Sequence, residues 1–339
     1  MRCKAWRRKT GLLLCLILFC FSFSACDEQK KHTVRFFSMD TLMQITAYGD
    51  AEDALQKARA RIEALDVKLD ATDDASAVSQ LKNGDTLETD LLVPFQTAQT
   101  FRTVLNGALD ITLYPLSNAW GFYSKSYRVP SAEEIHALLY SRGTWSLDKD
   151  KLLCDDETQF DLGCVAKGYA AQCAADVLRE NGVTSAVLAL GGNVQTVGQK
   201  PDGSDWVVAI ADPLHPDGTV GELHVGETAV VTSGSYQRNF SENGKTYHHI
   251  LDPQTGYPAN SGLFSVTVLC EDGTTADALS TALFITGADG AKSLLQNSSI
   301  EISFDAIFIT EDLTIYVTPG LADRFEKTND QYATPQILQ

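Results

Sequence analysis

Apolar residues recur at helical spacing between positions 51 and 69, where Ala54, Ala58, Ile62, Leu65 and Leu69 share one face. That spacing predicts an amphipathic helix. Ahead of it, Thr33 to Tyr48 reads as two short strands interrupted by Ser38-Met39-Asp40-Thr41. Behind it, the polar loop Asp70 to Ala75 leads to a second short helix. Residues 90–106 suit a further helix, started by Asp90 and stopped near Gly107. Ser131 and Glu134 stand in capping-box spacing behind Pro130, which makes 132–140 helical. Helices are also expected over 169–181, ended by Gly182, and over 275–286 and 288–296.

Strands concentrate in the second half, at 184–190, 194–199, 206–211, 222–226, 229–232 and 263–270. Asn243-Gly244 marks a hairpin, because that pair favours the tight turns that match strand twist. Segments 304–310 and 313–318 form a closing hairpin. Hairpins mixed with segregated helices indicate an α+β fold, with mixed or antiparallel sheets and helices packed on them, rather than a doubly wound sheet. The folded part is expected over residues 33–323, as one domain or two fused lobes, with 324–339 a loose tail.

Composition adds the compartment. A chain of 339 residues, 44% hydrophobic and 21% charged, can bury a sizeable core. A net charge of -17 argues against nucleic acid as the main partner. Arg2, Lys4, Arg7, Arg8 and Lys9 precede an apolar run from Gly11 to Phe23, which has signal-peptide length and is short for a membrane span. Residues 1–25 therefore read as a leader and 26–32 as a tether. Ser24-Ala25 before Cys26 resembles a bacterial lipobox, although Phe23 stands where that pattern favours leucine. Cleavage there would leave Cys26 to carry acyl chains such as palmitate, holding the protein on the extracytoplasmic face of the bacterial cell membrane. A plain secretory signal cut nearby is the alternative. Cys154, Cys164, Cys173 and Cys270 show no C-x-x-C spacing, so they read as core thiols rather than a zinc site.

Four stretches carry candidate chemistry. Phe160-Asp161-Leu162-Gly163-Cys164-Val165-Ala166-Lys167-Gly168 looks like a strand end entering a helix, where free amides can meet an anion. The run from Leu109 to Phe122 ends in Trp120-Gly121-Phe122, flat apolar faces that suit a stacked ring system or an aromatic plug in a core. Thr232-Ser233-Gly234 offers small hydroxyls to phosphate oxygens, and His249 follows ahead of a Pro/Gly-rich turn, suited to proton transfer. Neighbouring strand residues face opposite ways, so only one of His248 and His249 can enter a site. Asp277 and Thr281 lie a helical turn apart on one face, hard oxygen donors suited to magnesium or simply a helix-start charge and a packed hydroxyl. The commonest nucleotide loops, G-x-G-x-x-G and Walker A, are absent, as are G-x-S-x-G and H-E-x-x-H.

In order along the chain, Met39-Asp40-Thr41, the 110–122 run, Asp161-Leu162-Gly163-x-x-Ala166-Lys167-Gly168, Gly191-Gly192-Asn193, Thr232-Ser233-Gly234, His249-Ile250-Leu251-Asp252-Pro253 and Asp277-Ala278-Leu279-Ser280-Thr281 resemble the FAD:protein FMN transferases, the ApbE-type flavin transferases. The resemblance implies a T-fold-like α+β architecture and transfer of FMN from FAD to a threonine or serine hydroxyl of an exported acceptor, with AMP released. Acceptors in that family carry an Asp-x-x-Ser/Thr-Gly-Ala-Thr-like motif, which this chain lacks. By position, Asp277, Thr281, the Cys164 carbonyl and, as in some relatives, Ser280 would hold Mg2+. Met39, Trp120, Gly121, Phe122, Asp161, Lys167 and the Leu251 backbone would contact FAD, with His249 as the base. The departures are Cys164 where glycine or alanine is usual, no tyrosine at Thr72 or Asp73, Tyr114 before Pro115, and Ser235 where a close subgroup has aspartate. A magnesium-dependent FAD pyrophosphatase and a non-catalytic flavin-binding lipoprotein are the rival readings.

Overall fold

The structure, a computed structural model, describes residues 30–215, 217–297 and 302–338. The expected leader and most of the tether lie outside the described residues. The chain opens with strands β1 (Lys31–Ser38) and β2 (Thr41–Tyr48), then helices α1 (Glu52–Leu69), α2 (Thr89–Val104), α3 (Tyr114–Ala119) and α4 (Ala132–Ser141). A hairpin of β3 (Trp145–Asp148) and β4 (Lys151–Cys154) precedes α5 (Ala166–Glu180). Then come β5 (Ser185–Leu190), β6 (Asn193–Gly198), β7 (Trp206–Ala211), β8 (Thr219–Val225), β9 (Ala229–Gly234), β10 (Asn239–Glu242), β11 (Lys245–His248) and β12 (Leu263–Cys270). Helix α6 (Gly273–Gln296) is followed by β13 (Asp305–Thr310), β14 (Ile315–Val317), β15 (Phe325–Lys327) and β16 (Gln336–Ile337).

Among the described residues, nine strands form one sheet in the order β1-β2-β5-β6-β9-β12-β13-β14-β16. Neighbours are antiparallel except β14 and β16. Both faces of its centre are covered. Val231, Val266, Val268 and Phe308 point into the core shared with α1, α2, α5 and α6. Val230, Leu269, Ile307 and Ile309 point the other way, against Trp206, Val208, Leu223 and Phe325 of the small sheet β15-β8-β7. That two-sided burial is why these central strands read as continuous apolar runs, while side chains still alternate between faces.

Helix α1 buries the anticipated Ala54, Ala58, Ile62, Leu65 and Leu69. The Ser131 hydroxyl caps α4 by accepting the Glu134 amide at 3.2 Å. The helices expected over 275–286 and 288–296 are the two halves of α6, divided as anticipated at Gly287, whose φ of 72° leaves helical geometry. A separate aromatic cluster gathers Trp120, Phe122 and Leu251 with Phe240 and Tyr247 from the β10–β11 hairpin.

Several expectations are corrected. Residues 76–81 form turns, not a helix. Asp70 and Asp73 each accept an amide two residues on, at 2.8 and 2.9 Å, and such local bonds compete with helix formation. Part of the 110–122 run is helical, as α3, and the β3–β4 hairpin is an addition to the expected elements. The fold begins at Lys31, inside the expected tether. The stretch after Asp323 is built in: β15 pairs with β8, and buried Tyr332 donates its hydroxyl to Asp212 at 2.6 Å. Phe325, Tyr332 and Leu338 are apolar anchors that the surrounding charge obscures.

Candidate active site

Two tight turns meet at the end of the large sheet. In the β1–β2 turn, Met39 and Asp40 both have positive φ, 48° and 58°, a conformation that favours Asn-Gly. Asp66 holds it by accepting the Ser38 hydroxyl at 2.7 Å and the Met39 amide at 2.9 Å. Asp40 pairs with Arg238 at 2.9 Å and Lys125 at 3.5 Å. The β5–β6 turn lies alongside, and a Cβ on Gly191 would sit 2.5 Å from the Thr41 hydroxyl. Only glycine allows the two turns this approach.

The turns form one end of a cavity of about 790 Å³, a size suited to a cofactor-like ligand. Met39, Phe122, Asp161, Cys164, Lys167, His249, Leu251, Asp277 and Thr281 all line it. Asp161 fixes one wall. Its amide donates to the Ile111 carbonyl at 2.7 Å, its Oδ1 accepts the Gly163 amide at 2.9 Å, and its Oδ2 accepts the Tyr123 hydroxyl. Burial and the Asp161 carboxylate push the Tyr123 phenol well above its ordinary range, so it stays a donor.

Helices α5 and α6 cross where Gly168 faces Gly273. A Cβ on Gly168 would meet the Gly273 carbonyl at 2.1 Å and the Asp277 Cβ at 2.5 Å. This contact lets the Gly168 amide donate to Asp277 Oδ2 at 2.8 Å. In a regular helix that amide would turn to the Cys164 carbonyl, which here accepts no hydrogen bond among the described residues. Oδ1 of Asp277 likewise accepts no hydrogen bond among the described residues. Asp277, Thr281 and Cys164 thus line one cavity, and a carboxylate oxygen, a hydroxyl and a carbonyl are hard oxygens that fit magnesium with water and phosphate completing the shell. Among the described residues no group of three or more His, Cys, Asp or Glu could hold a metal, so any ion here depends on these mixed donors. The Cys164 thiol is pushed up by burial, then by Asp161 and Asp277, and stays neutral.

His249 follows β11 and turns toward the cavity, its ring edge-on to Phe122 at 6.4 Å. His248 faces away, with Nε2 on the Ala259 carbonyl at 3.0 Å and its ring against Phe284. Nδ1 of His249 is shielded from water without a partner. Burial first, then the charges of Arg238 and Lys167, pull this imidazole down to about 3. It is neutral at working pH, with one ring nitrogen unprotonated.

Three implied contacts fall elsewhere. Trp120 is fully buried in the aromatic cluster, with Nε1 donating to the Gly256 carbonyl at 2.9 Å, and does not line the cavity. Gly121 sits in a turn packed against the Ser126 carbonyl. Ser280 is fully buried behind the wall and donates its proton to the Asp277 carbonyl at 2.9 Å, so it does not face a cavity-bound ion. Conversely, Tyr123, Asp66, Lys125, Gln237 and Arg238 line the cavity without a motif to announce them. Gln237 and Arg238 lie just beyond Thr232-Ser233-Gly234, and that proximity is the available signal.

The fold is α+β, and the comparisons with known proteins make the chain a transferase. The chain belongs to the ApbE family, whose model matches residues 39–304. It is 34% identical over 244 residues to the FAD:protein FMN transferase of Klebsiella pneumoniae (strain 342), covering 70% of this chain and 74% of that protein. It is 28% identical over 352 residues to the FAD:protein FMN transferase of Treponema pallidum (strain Nichols), covering 95% and 96%. The crystal structure of the ApbE protein from Thermotoga maritima superposes with a TM-score of 0.76 at 30% identity, covering 86% of this chain and 98% of that one.

Proposed function

We propose that this chain transfers FMN from FAD to a threonine or serine hydroxyl of an exported acceptor protein, with Mg2+, releasing AMP. The observation that carries the reading is the cavity itself, with Asp277, Thr281 and the unbonded Cys164 carbonyl on its walls together with a neutral His249. Its relatives are named FAD:protein FMN transferases, which supports the transfer of FMN from FAD to a protein.

Asp277, Thr281 and the Cys164 carbonyl would hold magnesium, which would supply positive charge to the pyrophosphate. Lys167 and Arg238 add fixed cations to the same cavity. Met39, Phe122 and the Leu251 segment would bound the flavin, with Tyr123 and Asp161 forming the polar wall. The acceptor oxygen attacks the phosphorus on the FMN side, and a new phosphorus–oxygen bond forms as the bridge to AMP breaks. The hydroxyl proton passes to His249. Such chemistry is mostly positioning and charge stabilisation. Anchoring through a lipidated Cys26 would place the site outside the cytoplasmic membrane, where the acceptor must also be. That part of the reading rests on the leader sequence.

Incubating the protein with FAD, magnesium and a motif-bearing acceptor should raise the acceptor mass by one FMN unit. An acceptor of unchanged mass, beside bound and intact FAD, would leave a flavin binder instead.

A further inference from the structure

Thr281 differs from four other threonines in the interior of this protein's helices. Thr97, Thr100, Thr103 and Thr286 each return the hydroxyl proton to the carbonyl four residues back, at 3.0, 2.9, 2.8 and 2.9 Å. Thr281 makes no such bond among the described residues. Its Oγ1 lies 3.3 Å from the Ser233 hydroxyl on β9, and Ser233 lies 2.8 Å from Ser280.

Direction follows from counting protons, because a hydroxyl has one proton to give. The Asp277 carbonyl can only accept, so the Ser280 proton is committed to it at 2.9 Å. Ser280 must then accept from Ser233 across the shorter 2.8 Å contact. With its own proton spent, Ser233 can only accept from Thr281. We infer that Ser233, which also lines the cavity, and Ser280 behind it are positioning residues that draw the Thr281 proton onto Ser233 and leave a Thr281 oxygen lone pair free for a cation. The relay runs Thr281 to Ser233 to Ser280 to the Asp277 carbonyl, so it ends on the residue whose carboxylate lines the same cavity. A free threonine would return its proton to the carbonyl four residues back and turn its lone pairs with it.

This inference rests on the magnesium reading of the site, and its test separates the two. Mn2+ is titrated into the full chain in detergent without FAD, and free Mn2+ is read by paramagnetic resonance. FAD affinity and thermal melting are measured in chelator. Asp277→Asn should abolish Mn2+ binding. Ser233→Ala should weaken it by about 10- to 100-fold, the usual effect of removing a group that orients a ligand. Ser280→Ala should weaken it as well, although its side chain does not reach the cavity, and Ser233→Thr should restore it. Melting should hold in both serine-to-alanine variants, and metal-free FAD affinity should hold in Ser280→Ala, whose side chain lies behind the cavity wall. If Asp277→Asn binds Mn2+ like wild type, the metal reading fails and takes the relay with it. If Asp277→Asn loses Mn2+ while Ser233→Ala does not, the relay alone is overturned. A loss in Ser233→Ala without one in Ser280→Ala makes Ser233 itself a ligand, which also overturns it. Equal losses in Ser233→Ala and Ser233→Thr would point to side-chain volume rather than the hydroxyl, and the relay would fall on that result too.

Discussion

Gly168→Ala adds one methyl group at the closest helix crossing in the site. Its Cβ would meet the Gly273 carbonyl at 2.1 Å and the Asp277 Cβ at 2.5 Å, and neither atom can swing aside as a long side chain would. Restoring ordinary contact requires α5 and α6 to separate by roughly an ångström, in the range where overpacking costs about 1–3 kcal/mol. Alanine's better helix propensity returns up to about 1 kcal/mol, so the net loss of stability is modest. The larger effect falls on the site. The bond from the Gly168 amide to Asp277 is 2.8 Å long, and the same separation carries it beyond hydrogen-bond range. A misplacement of ~1 Å costs on the order of 10²-fold in rate. The assay pairs thermal melting with turnover at limiting magnesium. Gly226→Ala is the control, because a Cβ there meets nothing within 4 Å. If Gly168→Ala melts and turns over like the control, the crossing does not set the geometry of Asp277.

The remaining predictions concern the base, a buried ring and the anchor. His249→Ala should bind FAD nearly as wild type yet transfer FMN about 10²–10⁴-fold more slowly, and loss of FAD binding would make the imidazole a cofactor contact instead. The folded-state value of His249 lies near 3, below the ordinary 6.5, so the unfolded chain binds the extra proton first as pH falls. His249 therefore lowers stability progressively as pH drops from about 6.5 toward 3, and denaturant midpoints of His249→Ala should fall less steeply across that window. Trp120→Phe should cost about 1–3 kcal/mol by orphaning the Gly256 carbonyl while leaving FAD affinity intact; weakened FAD binding would put the ring back in the site. Cys26→Ala should release the protein from the membrane fraction with activity unchanged, and retention there would remove the lipobox reading.

The parts of the fold that sequence makes legible are those where one physical signal dominates. The stripe of α1 and the run at 263–270 are long and uninterrupted, and the structure places them within a residue of expectation. Helix α3 is legible in principle, since Pro115 in its first turn is a helix-start signal, but the aromatic residues behind it point equally to ligand stacking. The β3–β4 turn has Lys149 at a φ of 60° with no glycine or asparagine to announce it. In the site, motif order brings distant segments together but not their facing. Ser280 shares a motif with Asp277 and Thr281, yet one helical step of about 100° turns it behind the wall. What it meets there, Ser233, comes from a strand 47 residues away.

The ratio of AMP released to acceptor labelled separates transfer to a protein hydroxyl from hydrolysis by water. With purified protein, FAD and magnesium, AMP should remain near background until acceptor is added, then rise one for one with covalently bound flavin. Asp277→Asn and His249→Ala should depress both together, because both products come from a single displacement. Rapid release of AMP with free FMN in the absence of acceptor, and no label when acceptor is added, would contradict the account and make water the true nucleophile.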